Sequence, residues 1–332
     1  MDPVVSVVLP VRNGGGYLQE AVQSILRQSF DSLELILVDD GSNDGAVSRL
    51  TGDDPRLVLL SNPGRGVSSA FNTGFECATG AFIARMDADD LSLPQRLETQ
   101  YRYLQKHPGV DICGACVEIF SDQEILGGNL RYQAWLNECR SPERIRRELF
   151  IESPIPNPTA MFRRAALQSL GGYRDPEWPE DYDLFLRADA AGMRMGKPDP
   201  VLYRWREHGQ RLTRTDPRYH PGKFQAAKAH YLSLCRLSQE RPLVIWGAGP
   251  GGRLMHDLLA QEGTSVTGFL EVHPRRIGGR KRDLPVWPID EIGRMPEAFV
   301  LVAVGAAGVR PEIRQFMQRH DRVEGEHYLF VA

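Results

Sequence analysis

Carboxylates crowd three places in this 332-residue chain. Asp39, Asp40 and Asp44 fall in LELILVDDGSND, Asp87, Asp89 and Asp90 in FIARMDADD, and Glu180 and Asp181 in EWPEDYDLFLR. Carboxylates packed as densely as Asp87, Asp89 and Asp90 repel unless a cation or hydrogen-bond donors compensate them. A divalent ion with a taste for hard oxygen ligands, Mg²⁺ or Mn²⁺, is the natural compensator. The competing reading is a solvated helix N-terminus, with Pro94 early in the turn and Asp90 as a cap. For Asp39–Asp44 the competing reading is a plain turn. For Glu180 and Asp181 it is the acidic first turn of a helix, DYDLFLRADAAG. His208, in YRWREHGQRLTR, reads either as a ligand or as an ordinary surface histidine. Arg204, Arg206 and Arg211 beside it are suited either to phosphates or to ion pairs with Glu207 and Asp216.

The elements that must position these groups follow from the apolar pattern. VSVVLPV, LELILVDD, RLVLLS and FIARMDADD read as buried strands, separated by helices over residues 17–28, a short one after the second strand, and one near residues 68–78. Strands spaced by helices predict an α/β architecture with a largely parallel sheet flanked on both faces. Residues 10–16, 39–44 and 87–90 then lie at the carboxyl ends of strands, where such sheets bind ligands, so they converge on one crevice. After Asp122 the pattern becomes irregular, with helices expected over 142–150 and 181–192 and a short strand near 159–162. This stretch is suited to cover an acceptor site. A helical segment over about 222–239 precedes a fresh strand at Leu243–Trp246. The expected domains are therefore 1–240 and 241–332.

The second domain opens on LVIWGAGPGGRLMHDLL, with Gly247, Gly249 and Gly252 in G-x-G-x-x-G spacing between a strand and a helix, and with Glu271 ending the next strand. The pattern admits a nucleotide or dinucleotide site of Gly247, Gly249, Gly252 and Glu271. It equally admits a docking or oligomerisation domain that keeps the glycine turn for packing. The segment is barely half of a full dinucleotide fold, and no hydride-transfer residues stand out.

The strings VSVVLPVRN, LILVDDGSNDG, RGVSSAFNTGF, ATGAFIARMDADDLSLPQRL and GGYRDPEWPEDYDLFLR, in this order, resemble the family 2 glycosyltransferases over roughly the first two-thirds of the chain. The resemblance implies a GT-A nucleotide-sugar-binding fold, a mostly parallel mixed sheet flanked by helices, with the C-terminal part similar to small Rossmann-like α/β domains of sugar-processing enzymes. It implies that Pro10, Arg12, Asn13, Asp39 and Asp40 line the nucleotide pocket, with Asp39 on the base, and that Arg65 and the helix around Asn72 border the donor. It further implies Asp87 at the ribose, Asp89 on Mn²⁺ or Mg²⁺ with His208 completing that site, and Glu180-Asp181 as the acidic catalytic pair with Asp181 as general base. Arg12 stands where many members carry an aromatic residue. The reaction so implied moves a sugar, with inversion, from a nucleotide-sugar donor, UDP-linked, to a hydroxyl of a glycan, lipid-linked or protein acceptor in bacterial surface-glycan assembly. An NAD-dependent sugar oxidoreductase working through the C-terminal domain and a non-catalytic nucleotide-sugar scaffold are the alternatives.

Composition narrows the partners. A net charge of −3 gives no general attraction to nucleic acid. The longest apolar runs fall far short of the ~20 residues that span a bilayer. No leader pattern is seen at the N-terminus, so the expected location is cytoplasmic, free or peripheral to the inner face of the membrane. A homo-oligomer is compatible with all of this. Of five cysteines only Cys113 and Cys116 form a CxxC pair, inside the strand-like run VDICGACVEIF. With no second pair they read as buried core residues.

Overall fold

The strands β1 (Val5–Val11) and β2 (Leu33–Asp39) are apolar along nearly their whole length, and β1 is buried at every position. A strand survives that way only when helices cover both faces of its sheet. The structure is a computed structural model, and the residues it describes are 3–122, 124–237, 240–306 and 308–332. The next strands are β3 (Leu57–Ser61), β4 (Phe82–Arg85), β5 (Leu91–Ser92), β6 (Ile112–Cys113), β7 (Cys116–Phe120), β8 (Met161–Arg163), β9 (Met195–Gly196) and β10 (Val201–Arg206). The accompanying helices are α1 (Leu18–Leu26), α2 (Val67–Cys77), α3 (Arg96–Lys106), α4 (Gly127–Glu138), α5 (Pro142–Glu148), α6 (Arg164–Ser169), α7 (Glu180–Ala190) and α8 (Leu212–Thr215).

Seven strands form one sheet in the order β3-β2-β1-β4-β8-β6-β9. The first four run parallel and β8 runs antiparallel to both its neighbours. Register makes three strand ends flush: Val11 lies opposite Asp39, and Asp39 opposite Ser61. Helix α1 buries Leu18, Ala21, Val22 and Ile25, the i, i+3, i+4, i+7 stripe that its sequence dictates. Helix α2 approaches so closely that a Cβ on Gly74 would stand 2.5 Å from Val8 Cγ1 and 3.0 Å from Val38 Cγ2. A smaller sheet, β5-β10-β7, holds β10 antiparallel to β5 and parallel to β7.

The chain divides into two compact units, Met1–Arg146 with Pro154–Asp216 and Arg147–Ser153 with Pro217–Ala332. The boundary expected after residue 240 therefore moves. Helix α9 (Pro221–Cys235) falls in the second unit, where the Lys228 ammonium donates to the carbonyls of Ile151 (2.8 Å) and Val331 (3.1 Å) and His230 meets Glu262 at 3.0 Å. Residues 238 and 239 of the expected helical segment lie outside the described residues.

The second unit continues with β11 (Leu243–Trp246), α10 (Pro250–Gln261), β12 (Gly268–Glu271), β13 (Arg280–Lys281), β14 (Leu284–Pro288), β15 (Phe299–Val302), α11 (Arg310–Arg319) and β16 (Tyr328–Phe330). Its sheet order is β13-β14-β12-β11-β15-β16, parallel except at the β13 edge. Apart from that edge, the strands follow the 3-2-1-4-5 order of doubly wound sheets. Its own core gathers Val244, Trp246, Leu270, Val300, Val302, Met317 and Phe330.

Three local expectations change. The short helix after β2 is a set of turns, because Gly45 takes a left-handed φ of 71° and the Asp44 carboxylate accepts from the Ala46 amide of its own loop and from the Gly15 amide of the loop after β1. The run VDICGACVEIF is two strands, β6 and β7, which part at Gly114 and join different sheets; both cysteines are buried and free. The stretch after Asp122 contains α4, whose only buried residue is Leu136, so little periodicity announced it.

Candidate active site

The flush ends of β1 and β2 knit their loops together. Asn13, with φ 54°, donates its N–H to Ser42 Oγ (2.9 Å) and accepts from the Asn43 N–H (2.9 Å), while the Gly15 N–H donates to Asp44 Oδ2 (2.8 Å). Main-chain donors at Ala46 and Gly15 hold the Asp44 carboxyl below the usual range. Asp39 Oδ1 accepts the Ser42 N–H at 2.9 Å. Asp40 reaches the other way and accepts from Asn62 Nδ2 (2.6 Å) and the Gly66 N–H (3.0 Å), with the exposed Arg12 guanidinium 3.9 Å off. Asn62, which sequence reasoning passed over, also accepts from Ser69 Oγ at 2.9 Å. Asp40 and Asn62 thus fix the start of α2. Arg65 is exposed just before Gly66, and Pro10 is buried in β1 opposite Val38.

Past β4 the acidic loop meets β10. Asp87, Asp89 and Asp90 each offer an oxygen within 4.8 Å of the others. The Asp90 side chain is buried, accepts from the Arg206 N–H (2.7 Å) and Tyr203 Oη (3.0 Å), and has a pKa pushed well up by burial and by Asp89 and Asp87. It caps no helix: α3 starts at Arg96 with no side-chain cap, and Asp90 instead fastens the loop to β10. Arg206 fastens it again, donating to the Asp89 carbonyl at 2.7 Å and to Glu20 at 2.9 Å. Two residues on, His208 Nε2 lies 2.8 Å from Asp89 Oδ2. The other arginines of this strand and the segment after it are engaged in ion pairs: Arg204 with Glu118, and Arg211 and Arg214 with Glu207. This favours the ion-pair reading of the segment.

A metal fits this donor set. Asp89 and His208 come from segments far apart in sequence and meet at hydrogen-bond distance, with the Asp87 carboxylate beside them. Carboxylate oxygens with one imidazole suit Mn²⁺ or Mg²⁺ completed by phosphate oxygens. Asp90, with its oxygens bonded to β10, is the acid of the three least suited to join.

Beneath the loop are two buried arginines. Arg85 ends β4, is 3% exposed, and donates Nε to Asp87 Oδ1 at 3.1 Å. Burial raises the Asp87 pKa, and Arg85 opposes that rise. Arg96 is fully buried, donates to the carbonyls of Arg85 (2.7 Å) and Pro158 (3.1 Å), and is lowered by burial to about 10. Sequence reasoning named neither; a charged residue closing the buried strand FIAR was the available signal.

Helix α7 brings Glu180, buried, and Asp181, half-buried, in its first turn. Asp181 Oδ1 accepts from the Tyr182 N–H at 2.7 Å. Asp183 accepts from Trp178 Nε1 (3.0 Å) and Arg187 Nε (2.8 Å), and Arg187 also donates to the carbonyls of Leu170 (2.6 Å) and Gly172 (2.9 Å). Asn72, expected near the donor, uses its amide on Tyr173: Nδ2 to the carbonyl at 2.8 Å and Oδ1 from the N–H at 2.9 Å.

In the second unit the glycines serve the turn. Gly247 has φ 115°, and a Cβ on Gly252 would fall 1.8 Å from the Gly247 carbonyl oxygen, whereas Gly249 has nothing closer than Arg276 at 3.8 Å. Glu271 accepts from the amides of Ala248 (3.3 Å), Val272 (2.9 Å) and His273 (3.1 Å) and from Arg276 (2.9 Å). Burial raises its pKa, but Arg276 and the amides outweigh it and hold the carboxyl below its ordinary range.

This arrangement of acids at the carboxyl ends of a GT-A sheet has relatives. The profile described as Glycosyl transferase family 2 matches residues 6–171. The Bacillus subtilis protein named as a glycosyltransferase, EpsE, is 33% identical over 64% of this chain and 76% of its own length. The amylovoran biosynthesis glycosyltransferase AmsE of Erwinia amylovora is 28% identical over 57% of this chain and 70% of its own. Among solved structures, TarS of S. aureus in complex with UDP-GlcNAc superposes with a TM-score of 0.57 at 16% identity, over 80% of this chain and 74% of that one. The chain belongs to glycosyl transferase family 2. It is a glycosyltransferase of the GT-A fold.

Proposed function

We propose that this chain transfers a sugar from a nucleoside diphosphate donor, UDP-linked, to an acceptor hydroxyl with inversion, in assembly of a bacterial polysaccharide or glycoconjugate. The observation that carries the reading is the Asp89–His208 pair, 2.8 Å apart beside Asp87. The UDP-GlcNAc held by TarS and the amylovoran role of AmsE support the donor and pathway class.

In this reading Asp89 and His208 would hold Mn²⁺ or Mg²⁺, which when bound would supply neutralisation of charge on the leaving group. Asp87, with Oδ1 on Arg85, keeps its other oxygen for the ribose. Asp39 and Asn13 border the base, and Arg12 and Arg65 are exposed cations at the rim. Asp181 takes the proton of the acceptor hydroxyl, and its half-buried position suits a base that must meet an incoming group. Glu180 behind it shapes the field that Asp181 feels. The acceptor class, glycan, lipid-linked or protein, is set by the region after Asp122. Among the described residues no helix is long and apolar enough to cross a membrane.

For the C-terminal unit we propose a Rossmann-like accessory role in docking. Glu271, already bonded to four partners, offers a ribose little, which weighs against the oxidoreductase reading. Incubation with a panel of UDP-sugars and Mn²⁺, with intact-mass detection of products, tests the proposal. Turnover retained by Asp89→Ala would sink it.

A further inference from the structure

The donor acids and the acceptor acid come from segments some ninety residues apart, and something must hold them in register. Tyr173 stands between them. Its side chain is buried, the Arg85 guanidinium sits 5.2 Å from its ring centroid, and the same guanidinium lies 5.6 Å from the Phe71 ring. Phe71 and Tyr173 also touch edge to face, with centroids 4.7 Å apart. Arg85 is thereby packed against two aromatic faces while its Nε orients Asp87.

The remaining bonds of Tyr173 reach Asn157 and α2, and its neighbour Gly172 is tied to α7 through Arg187. Its hydroxyl donates to Asn157 Oδ1, and its main chain is clasped in both directions by Asn72. The residue before it, Gly172, has φ 68°, accepts from Arg187, and could not carry a Cβ, which would stand 2.5 Å from Asn72 Oδ1. Arg187 holds Asp183, one turn into the helix that begins at Glu180. Burial pushes the Tyr173 phenol up, Arg85 opposes that rise, and Asp181, Glu180 and Asp87 add to it.

We infer that Tyr173 is a positioning residue that sets the Glu180–Asp181 end of α7 against the Asp87–Asp89 loop, with Arg85 as the rigid block between them and Asn72 as the clasp. The inference rests on the functional reading above. Tyr173 touches neither donor nor acceptor; it fixes where the base stands relative to the bond that breaks. A displacement of about 1 Å in such a register costs on the order of a hundredfold in rate.

The test compares Tyr173→Leu, Tyr173→Phe, Asn72→Ser and Arg85→Lys with the wild-type chain, at saturating Mn²⁺ and UDP-sugar. The readouts are thermal melting, kcat for transfer, donor KM, and donor hydrolysis by water. Tyr173→Leu and Asn72→Ser are expected to lower kcat for transfer about 30-fold or more, with donor KM and hydrolysis within about threefold. Tyr173→Phe, which keeps the ring over Arg85, recovers most of the rate. Arg85→Lys, which loses the planar contact and the aim of Asp87, raises donor KM about tenfold. If Tyr173→Leu melts early, Asn72→Ser decides alone. The inference falls if folded Tyr173→Leu or Asn72→Ser keeps wild-type kcat, or loses it only in proportion to donor KM. Asp89→Ala and Asp181→Asn run alongside: activity surviving in these two overturns the functional reading itself, whereas their inactivity beside active Tyr173→Leu overturns only the inference.

Discussion

Both units place an acid where a parallel strand ends, yet the two acids are treated differently. In the first unit Asp89 meets His208, and Asp87 gives one oxygen to Arg85. In the second, Glu271 is bonded by Arg276 and three main-chain amides. An acid that is fully bonded by its own loop and the neighbouring turn shapes those turns, and an acid with oxygens to spare can meet a ligand. Position on an α/β sheet therefore does not by itself define a site; what the neighbours leave over does.

The comparison can be broken at its strong end first. Asp181→Asn is expected to lower kcat for transfer by about 10³, the scale of a lost general base, measured at saturating donor and acceptor. Asp89→Ala should cost about 10²–10³ and abolish the response to added Mn²⁺, read by titrating the metal. Equal losses from Glu271→Gln would show that the two acids are not different in kind. That variant is instead expected to leave kcat within about twofold while destabilising the second unit by ~1–3 kcal/mol in urea unfolding, since the buried Ala248 amide, the Val272 and His273 amides and Arg276 lose a charged acceptor.

The glycine turn sharpens the same point at smaller scale. Gly252→Ala forces a methyl into the Gly247 carbonyl and should cost ~1–3 kcal/mol, while Gly249→Ala, which meets only Arg276 at 3.8 Å, should be nearly neutral. A loss of transfer on Gly249→Ala without a stability change would instead reveal a working ligand site in the second unit.

Each unit also buries a lysine on main-chain carbonyls. Lys197 donates to Leu136 and Pro154, Lys228 to Ile151 and Val331, and burial lowers each to about 8. Between about pH 8 and the ordinary lysine range the unfolded chain binds the extra proton, so stability rises with pH. The wild-type chain should gain on Lys228→Met by about 1 kcal/mol or more between pH 7.5 and 10, read from paired urea melts.

How much of this was written in the sequence varies with distance along the chain. β1, β2, β4 and the glycine turn were legible because their apolar runs and punctuation are local. The acids Asp87, Asp89, Glu180 and Asp181 were legible because charge crowding is local too. Arg85, Arg96, Asn62 and Tyr173 were not, because each has a defining contact tens of residues away: Arg85 with Tyr173, Arg96 with Pro158, Asn62 with Asp40, and Tyr173 with Asn72. The role of Asp90 was misread for the same reason: its oxygens answer to Tyr203 and Arg206, over a hundred residues on. The unit boundary shifted because the helix over Pro221–Cys235 carries Lys228, whose acceptors lie in residues 151 and 331.

The bond between Asp90 and β10 has a consequence for anyone recombining this enzyme with its relatives. A crossover placed in the irregular stretch after Asp122, chosen to exchange acceptor preference, would import a foreign β10 and with it a foreign Tyr203, Arg206 and His208. The transplanted segment would bring the partner of Asp89 and both anchors of the acidic loop. Acceptor grafts should therefore stop short of Val201, leaving that strand with its native loop.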